Sequence, residues 1–202
     1  MPRTDALNYV RRRDRVVEDD AWIVEFLRRA AIGVLATVEN EQPFINSNLF
    51  VYDEAQDCLY MHTAKAGRTR TNIEQPEASA EAHVCFSIME IGRLLPAATA
   101  KNFSVEYAGV VVFGTACVIE DPTEAKHALQ LLMDKYATHL EVGGDYAAPN
   151  DEDLKTTAAY RITIESWSGK KKDAPGDFPG AYWYQADSML ASKRTLSPQT
   201  VE

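Results

Sequence analysis

The sequence is sparing with the residues that mark disulfide, metal and membrane chemistry. Its three cysteines, Cys58, Cys85 and Cys117, stand far apart in apolar runs, with no CxxC and no Cys/His pair at ligand spacing. Odd in number and widely spaced, they read as buried free thiols of a reducing compartment, so the expected location is cytoplasmic. No apolar run approaches a membrane span, and the arginine-rich first residues lack the apolar core of a secretion signal. Positive charge is also short: 21 Lys and Arg against 30 Asp and Glu leave a net charge of −9 over 202 residues. Such a surface repels phosphate backbones and anionic lipid, which argues against general nucleic-acid or membrane binding.

One stretch reverses the balance. Cys58 to Ile73 contains no acid at all, although roughly two would be expected in a window of that length. It opens as an apolar strand and closes as a loop carrying Lys65, Arg68 and Arg70 among Thr63, Thr69 and Thr71, with Gly67 ahead of a short helix. Cations, hydroxyls, a flexible glycine and first-turn N–H groups are the donors a phosphate needs. A solvated basic loop would have the same composition. A local basic loop on an acidic body suits a small anionic ligand.

In chain order, residues 1–17 form a basic arm. Glu18, Asp19 and Asp20 precede a helix with Trp22, Ile23, Phe26, Leu27 and Ala30 on one face. Ile32–Glu39 and Phe44–Tyr52 read as two strands joined at Asn40–Pro43, and Cys58–Thr63 as a third. After the basic loop, Thr69–Glu74 forms a short helix that Pro76 ends. Ala78–Met89 resumes strand character, whereas Ile91–Asn102 resembles neither element. Ser104–Glu120 is the longest strand signal, with Gly109 and Gly114 suggesting a bend or bulge. Asp121-Pro122-Thr123-Glu124 caps a helix running to about Ala137. Tyr160–Trp167 is the last strand, followed by Lys170-Lys171-Lys172. An irregular extension over 173–202 carries Tyr182-Trp183-Tyr184, expected to pack by its rings, as are Trp22 and Trp167. Hairpin connections without βαβ alternation predict a mainly β domain over 18–172, a six-stranded antiparallel split β-barrel with flanking helices.

This order and three motifs together resemble the flavin-binding split-barrel family founded by pyridoxamine 5′-phosphate oxidase, in its Nim-type branch of nitroimidazole-resistance relatives. The first motif is Gly33-Val34-Leu35-Ala36-Thr37 with Phe50-Val51-Tyr52. The second is Leu59-Tyr60-Met61-His62-Thr63-Ala64-Lys65-Ala66-Gly67-Arg68. The third is Val110–Ala116 with the Leu129–Tyr136 helix and Ser168-Gly169-Lys170. The resemblance covers about residues 8–172. It implies that Thr63, Lys65, Arg68 and Thr69 hold an FMN phosphate, with His62 beside the phosphate or ribityl chain. Asn46, Ser47, Asn48 and Leu49 would line the isoalloxazine edge; a polar stripe there could equally face solvent. Family flavin sites lie at a homodimer interface, so a partner's 104–112 strand could close the pocket and Lys170 could approach the flavin. The activity implied is hydride transfer from a reduced nicotinamide through FMN to a small, nitro-aromatic acceptor, with the chemistry supplied by the flavin.

The arginine-rich signature and Arg-Leu-Ala-Pro-like end of true pyridoxamine phosphate oxidases are missing: Arg194-Thr195-Leu196-Ser197-Pro198 is a faint echo. That substrate is not assigned. Other readings remain open. One is a haem-binding or haem-degrading protein of the same fold with His62 or His83 as axial ligand. Another is a flavin-binding module without turnover, and a deazaflavin could replace FMN. His83, His127 and His139 read as structural or solvated when taken alone, and the lysine run as a solvated stretch.

Overall fold

The computed structural model describes residues 9–74 and 82–184. The expected Pro76 stop, the start of the strand at Ala78, residues 1–8 of the arm and the Arg194–Pro198 echo lie outside them. The chain divides into two compact units, one of residues 1–89 and 109–170, the other of 90–108 and 171–202.

The larger unit is a mainly β, antiparallel split barrel with flanking helices. In chain order the elements are β1 (Val16–Val17), α1 (Asp20–Arg29), β2 (Gly33–Glu39), β3 (Gln42–Asn48), β4 (Val51–Asp53), β5 (Cys58–Ala64) and α2 (Arg68–Ile73). They continue with β6 (Ala82–Leu95), β7 (Ser104–Val118), α3 (Pro122–Tyr136), α4 (Asp153–Thr156) and β8 (Thr157–Lys172). The strands lie in the order β3-β2-β6-β7-β8-β5-β4, with β1 paired to β8. The alternation in β2 separates the two faces: Gly33, Leu35 and Thr37 are buried, while Val34, Ala36 and Val38 face outward. Leu35, Leu59, Met61, Phe86, Val110, Val112, Tyr160 and Ile162 fill the interior. Gly33 is required there, because a Cβ would lie 2.0 Å from the Phe86 ring.

Two helices cover what the strands leave open. Asp19 caps α1 by accepting from the Ala21 N–H at 3.0 Å, and Ile23, Phe26 and Leu27 bury its apolar face, each contributing roughly 1.5–3 kcal/mol. Trp22 stacks on Phe26, and Trp167 is buried with its indole N–H on Asp20. Asp121 caps α3 through the Thr123 N–H. That helix lies over the outer face of β5 and β8, in a cluster with Val51, Cys58, Tyr60, Ile119 and Ala159. Beneath it, the Tyr60 hydroxyl and the Arg161 guanidinium both donate to Glu124, at 3.2 and 2.7 Å. His127 reaches Asp53 at 3.1 Å.

Several boundaries differ from the sequence expectation, each for a visible reason. Residues 44–52 form two strands rather than one because α3 takes the backbone of Phe50. Its N–H meets the Tyr136 hydroxyl at 3.1 Å, and its carbonyl accepts from Lys135 Nζ at 2.9 Å. β6 runs on to Leu95 because Gly92 leaves room for Glu106, whose Cβ would be 2.8 Å from an added methyl. β7 is unbroken, and Gly114 marks close approach: a Cβ there would lie 1.9 Å from the Thr163 carbonyl oxygen. β8 extends past Trp167 because Val16 and Val17 pair with Lys170 and Gly169. Of the three free thiols, Cys58 is buried while Cys85 and Cys117 are half-buried. Burial pushes Cys58 up to about 11. Strand pieces at the edges bring the total among the described residues to nine rather than six.

In the smaller unit, Arg93 and Glu106 form a two-pronged ion pair, with contacts of 2.7 and 2.9 Å. The arginine also donates to the carbonyls of Ala174, Pro175 and Gly176, and Glu106 accepts from the Ala174 N–H. Arg93 holds the Glu106 carboxyl at about 2. A ninth strand, β9 (Tyr182–Trp183), pairs with Leu94 and Arg93. Tyr182, Trp183 and Tyr184 are exposed, contrary to the expectation that they pack, because β9 is held by backbone pairing.

Lys135 supplies a test of α3 docking. Its ammonium lies 3.9 Å from the Phe50 ring centroid and donates to the Leu27 and Phe50 carbonyls, and burial pushes its pKa down to about 8. A base whose folded pKa is depressed binds its proton more weakly in the fold than in the unfolded chain. Its contribution to stability therefore rises as pH climbs from about 8 toward the ordinary lysine range. In Lys135→Met this rise is absent, which the difference between the two denaturation-versus-pH curves measures; parallel curves would refute it.

Candidate functional site

β5 ends at Ala64 opposite Thr157 of β8, and the chain then turns through Lys65–Gly67 into α2. The Lys65 N–H donates to the Thr156 carbonyl at 3.1 Å, pinning the turn to the start of β8. Gly67 adopts φ 130° and ψ 170°, a backbone region essentially closed to other residues. Nothing lies within 4 Å of where its Cβ would be, so the glycine is required for its dihedral and not for space.

Around this turn the sequence-predicted residues divide into three groups. Thr63 is the penultimate residue of β5, Lys65 lies in the turn, and Arg68 and Thr69 open α2. Lys65 and Arg68 are exposed. Among the described residues neither has a carboxylate partner. Arg68 lies 5.3 Å over the Phe44 ring. Thr69 is buried and accepts from the Asn46 amide at 3.2 Å. Thr63 donates to the Ala64 carbonyl at 2.8 Å and meets the Tyr160 hydroxyl at 3.0 Å. Arg70 is bound to Glu74, but an i,i+4 pair contributes only about 0.3–0.5 kcal/mol, so a ligand can recruit it. Lys65 and Arg70 border a cavity of about 170 Å³ toward Pro122, Leu154 and Thr157.

The second group is the β3 stripe, which the structure splits by its alternation. Asn46 and Asn48 are half-buried on the side that meets α2, while Ser47 and Leu49 are exposed. The Asn46 amide also donates to Asn48 Oδ1 at 3.3 Å, and Asn48 donates back to the Asn46 carbonyl at 3.0 Å. The third group is His62 and Lys170. His62 lies on the outer face of β5 beside Ala159, and desolvation lowers its pKa. Lys170 stands inside β8 rather than after it, at the opposite end of that strand from Thr157.

Sequence reasoning missed the residues that hold the turn from beneath. Phe44 supports Arg68, and Tyr160 supports Thr63. The Asn72 amide is satisfied with its oxygen accepting from Thr37 (2.7 Å) and its nitrogen donating to the Arg68 carbonyl (3.0 Å) and Glu39 (3.2 Å). The Tyr160 strand was legible by its alternation, but its register against Met61 has no local signal.

Away from α3, the outer face of the sheet carries exposed apolar side chains. Val38, Ile45 and Met89 are exposed there. A groove of about 410 Å³ crosses β3, β2, β6, β7 and β8, lined by Ala36, Val38, Pro43, His83, Cys85, Phe113 and Glu165. Among the described residues, no helix is long and apolar enough to cross a membrane.

A family model described as pyridoxamine 5′-phosphate oxidase matches residues 19–171. Compared with curated proteins, the chain has no match. Among solved structures it is similar to the flavocytochrome Anf3 of Azotobacter vinelandii, with TM-score 0.69, 20% identity, and 91% of this chain and 87% of that one covered. It is similar to an FAD and haem binding protein of Mycobacterium smegmatis, with TM-score 0.66, 18% identity and coverage of 88% and 80%. A protein named for 5-nitroimidazole antibiotic resistance from Bacteroides thetaiotaomicron gives 0.61, 21%, 77% and 86%. At these identities the likeness is one of fold.

Gly67→Ala would hold a side chain in a backbone region that costs roughly 1–3 kcal/mol. Urea unfolding should show that loss without a packing defect; unchanged stability would mean that the turn relaxes to another conformation.

Proposed function

Because the chain belongs to the pyridoxamine 5′-phosphate oxidase family, we propose that it is an FMN-dependent oxidoreductase of the cytoplasm. In this reading it passes hydride from a reduced nicotinamide through the flavin to a small acceptor, a nitro-aromatic being the class to try first. The observation that carries the reading is the turn at Lys65–Gly67. Two exposed cations without described carboxylate partners, a threonine hydroxyl and a fixed glycine suit a terminal phosphate. The donor set therefore fits FMN.

Thr63, Lys65 and Arg68 would bind the phosphate, and Thr69 and Asn46 would hold the turn in place. Asn48 is on the same side of β3 and available to a ring edge. Desolvation lowers the pKa of His62, which disfavours its charged form. When bound, the flavin would supply two-electron chemistry; the protein's share is to bind, orient and exclude water. A second copy of the chain docked on the outer face away from α3 would bury Val38, Ile45, Met89 and Phe113, giving the homodimer this family leads one to expect.

A second reading rests on a separate observation. His83 stands at the rim of the 410 Å³ apolar groove, beside Cys85 and Phe113. Two of the similar structures are a flavocytochrome and an FAD and haem binding protein. Haem held there by His83 would make the chain a haem protein, and of the two histidines considered from sequence, this environment favours His83 over His62.

The absorption spectrum of the purified protein, taken before and after anaerobic addition of reduced nicotinamide, separates these readings. A two-band flavin spectrum that bleaches is expected. Flavin that stays oxidised would make this a binding module, and a Soret band lost in His83→Ala would establish haem instead. Arg68→Gln should weaken FMN binding about tenfold. The homodimer is checked by light scattering, where Phe113→Glu should yield the monomer; a wild-type monomer would end that part of the proposal.

A further inference from the structure

Tyr160 is fully buried in the barrel, opposite Met61 of β5, yet its hydroxyl sits 3.0 Å from Thr63 Oγ1 at the mouth of the turn. A threonine hydroxyl has one proton, and that of Thr63 points to the Ala64 carbonyl at 2.8 Å. With the Thr63 proton on that carbonyl, the bond between the two hydroxyls runs from Tyr160 to Thr63. Burial raises the Tyr160 pKa, so the phenol keeps the proton that this direction requires.

For Thr63 to serve an anion, its proton has to swing from the Ala64 carbonyl to the ligand. Two features make that rotation favourable. The Tyr160 donor stays fixed while the threonine hydrogen turns, so the Thr63 oxygen does not lose its acceptor role. A hydroxyl that accepts from one group also becomes a stronger donor to the next. We propose that Tyr160 is a positioning residue that orients and polarises the Thr63 hydroxyl toward the phosphate of a phosphorylated ligand. The inference rests on the reading of the Lys65–Gly67 turn as the FMN phosphate site, and it adds a buried residue that touches no ligand.

A purely structural role for Tyr160 predicts something different, namely a loss of stability with no preference between ligands. Binding of FMN and of riboflavin, which shares the ring and ribityl chain but lacks the phosphate, separates the two. Affinities would be measured by flavin fluorescence quenching in wild type, Tyr160→Phe, Thr63→Val and the double variant. Losing one donor in such a chain should weaken FMN about five- to tenfold in Tyr160→Phe, leave riboflavin within about twofold, and have no further effect once Thr63 is valine. Equal loss for both ligands, or a full additional loss in the double variant, would overturn the proposal. Should Tyr160→Phe fail to fold, difluorotyrosine at position 160 keeps the ring and hydroxyl while strengthening the donor. It should tighten FMN relative to riboflavin, and unchanged relative affinity would refute the inference. Wild type that binds riboflavin as well as FMN would instead remove the phosphate reading itself, whatever the variants do.

Discussion

The pairing of β5 with β8 is the constraint on which the site depends. Seven consecutive residues, Cys58 to Ala64, lie opposite Thr163 to Thr157. In this register Leu59, Met61 and Thr63 point inward with Tyr160 and Ile162, and Cys58 and Tyr60 point outward under α3. A slip of one residue would exchange the two faces. It would put the Tyr60 hydroxyl, which meets Glu124, into the apolar interior. It would also separate Tyr160 from Thr63. Burial of both faces therefore protects the register, and the turn at the end of β5 inherits its position from that pairing rather than from its own residues.

Much of the architecture was legible because it is written locally. The acidic run Glu18–Asp20, the Asp121 cap, the apolar stripe of α1 and the alternation of β8 are short-range signals, and α1 and α3 begin where these acids place them. The departures arise from long-range contacts. Nothing between Phe44 and Tyr52 reveals that side chains of Lys135 and Tyr136 will take the Phe50 backbone. Nothing near Gly114 discloses that the Thr163 carbonyl will pass where a methyl would sit, so a glycine suggestive of a bend belongs to a continuous strand. The Tyr182–Tyr184 rings look like core residues by composition but are exposed on a two-residue strand.

The site was legible in the same uneven way. Absence of acid from Cys58 to Ile73 is a property of composition and survives into the structure as two exposed cations on a fixed turn. The β3 stripe was found as a segment, but only the alternation of an actual strand sorts Asn46 and Asn48 from Ser47 and Leu49. Phe44, Tyr160 and the Thr37–Asn72 contact were not found, since support from beneath depends on strand register. Lys170 stands at the far end of β8 because the strand runs five residues past its clean alternation, ending at Lys172 rather than Trp167.

The contacts between α2 and the β2–β3 hairpin have an entropic consequence. Arg68 rests on Phe44, Thr69 is bonded to Asn46, and Asn72 to Thr37, so three side-chain contacts tie α2 to the hairpin. A mobile basic loop would have to be ordered each time an anion arrived, and that cost would be subtracted from affinity. Here the ordering is completed when the barrel folds. Whatever binds at Lys65 and Arg68 meets a surface whose shape was settled beforehand, and its affinity reports the contacts themselves.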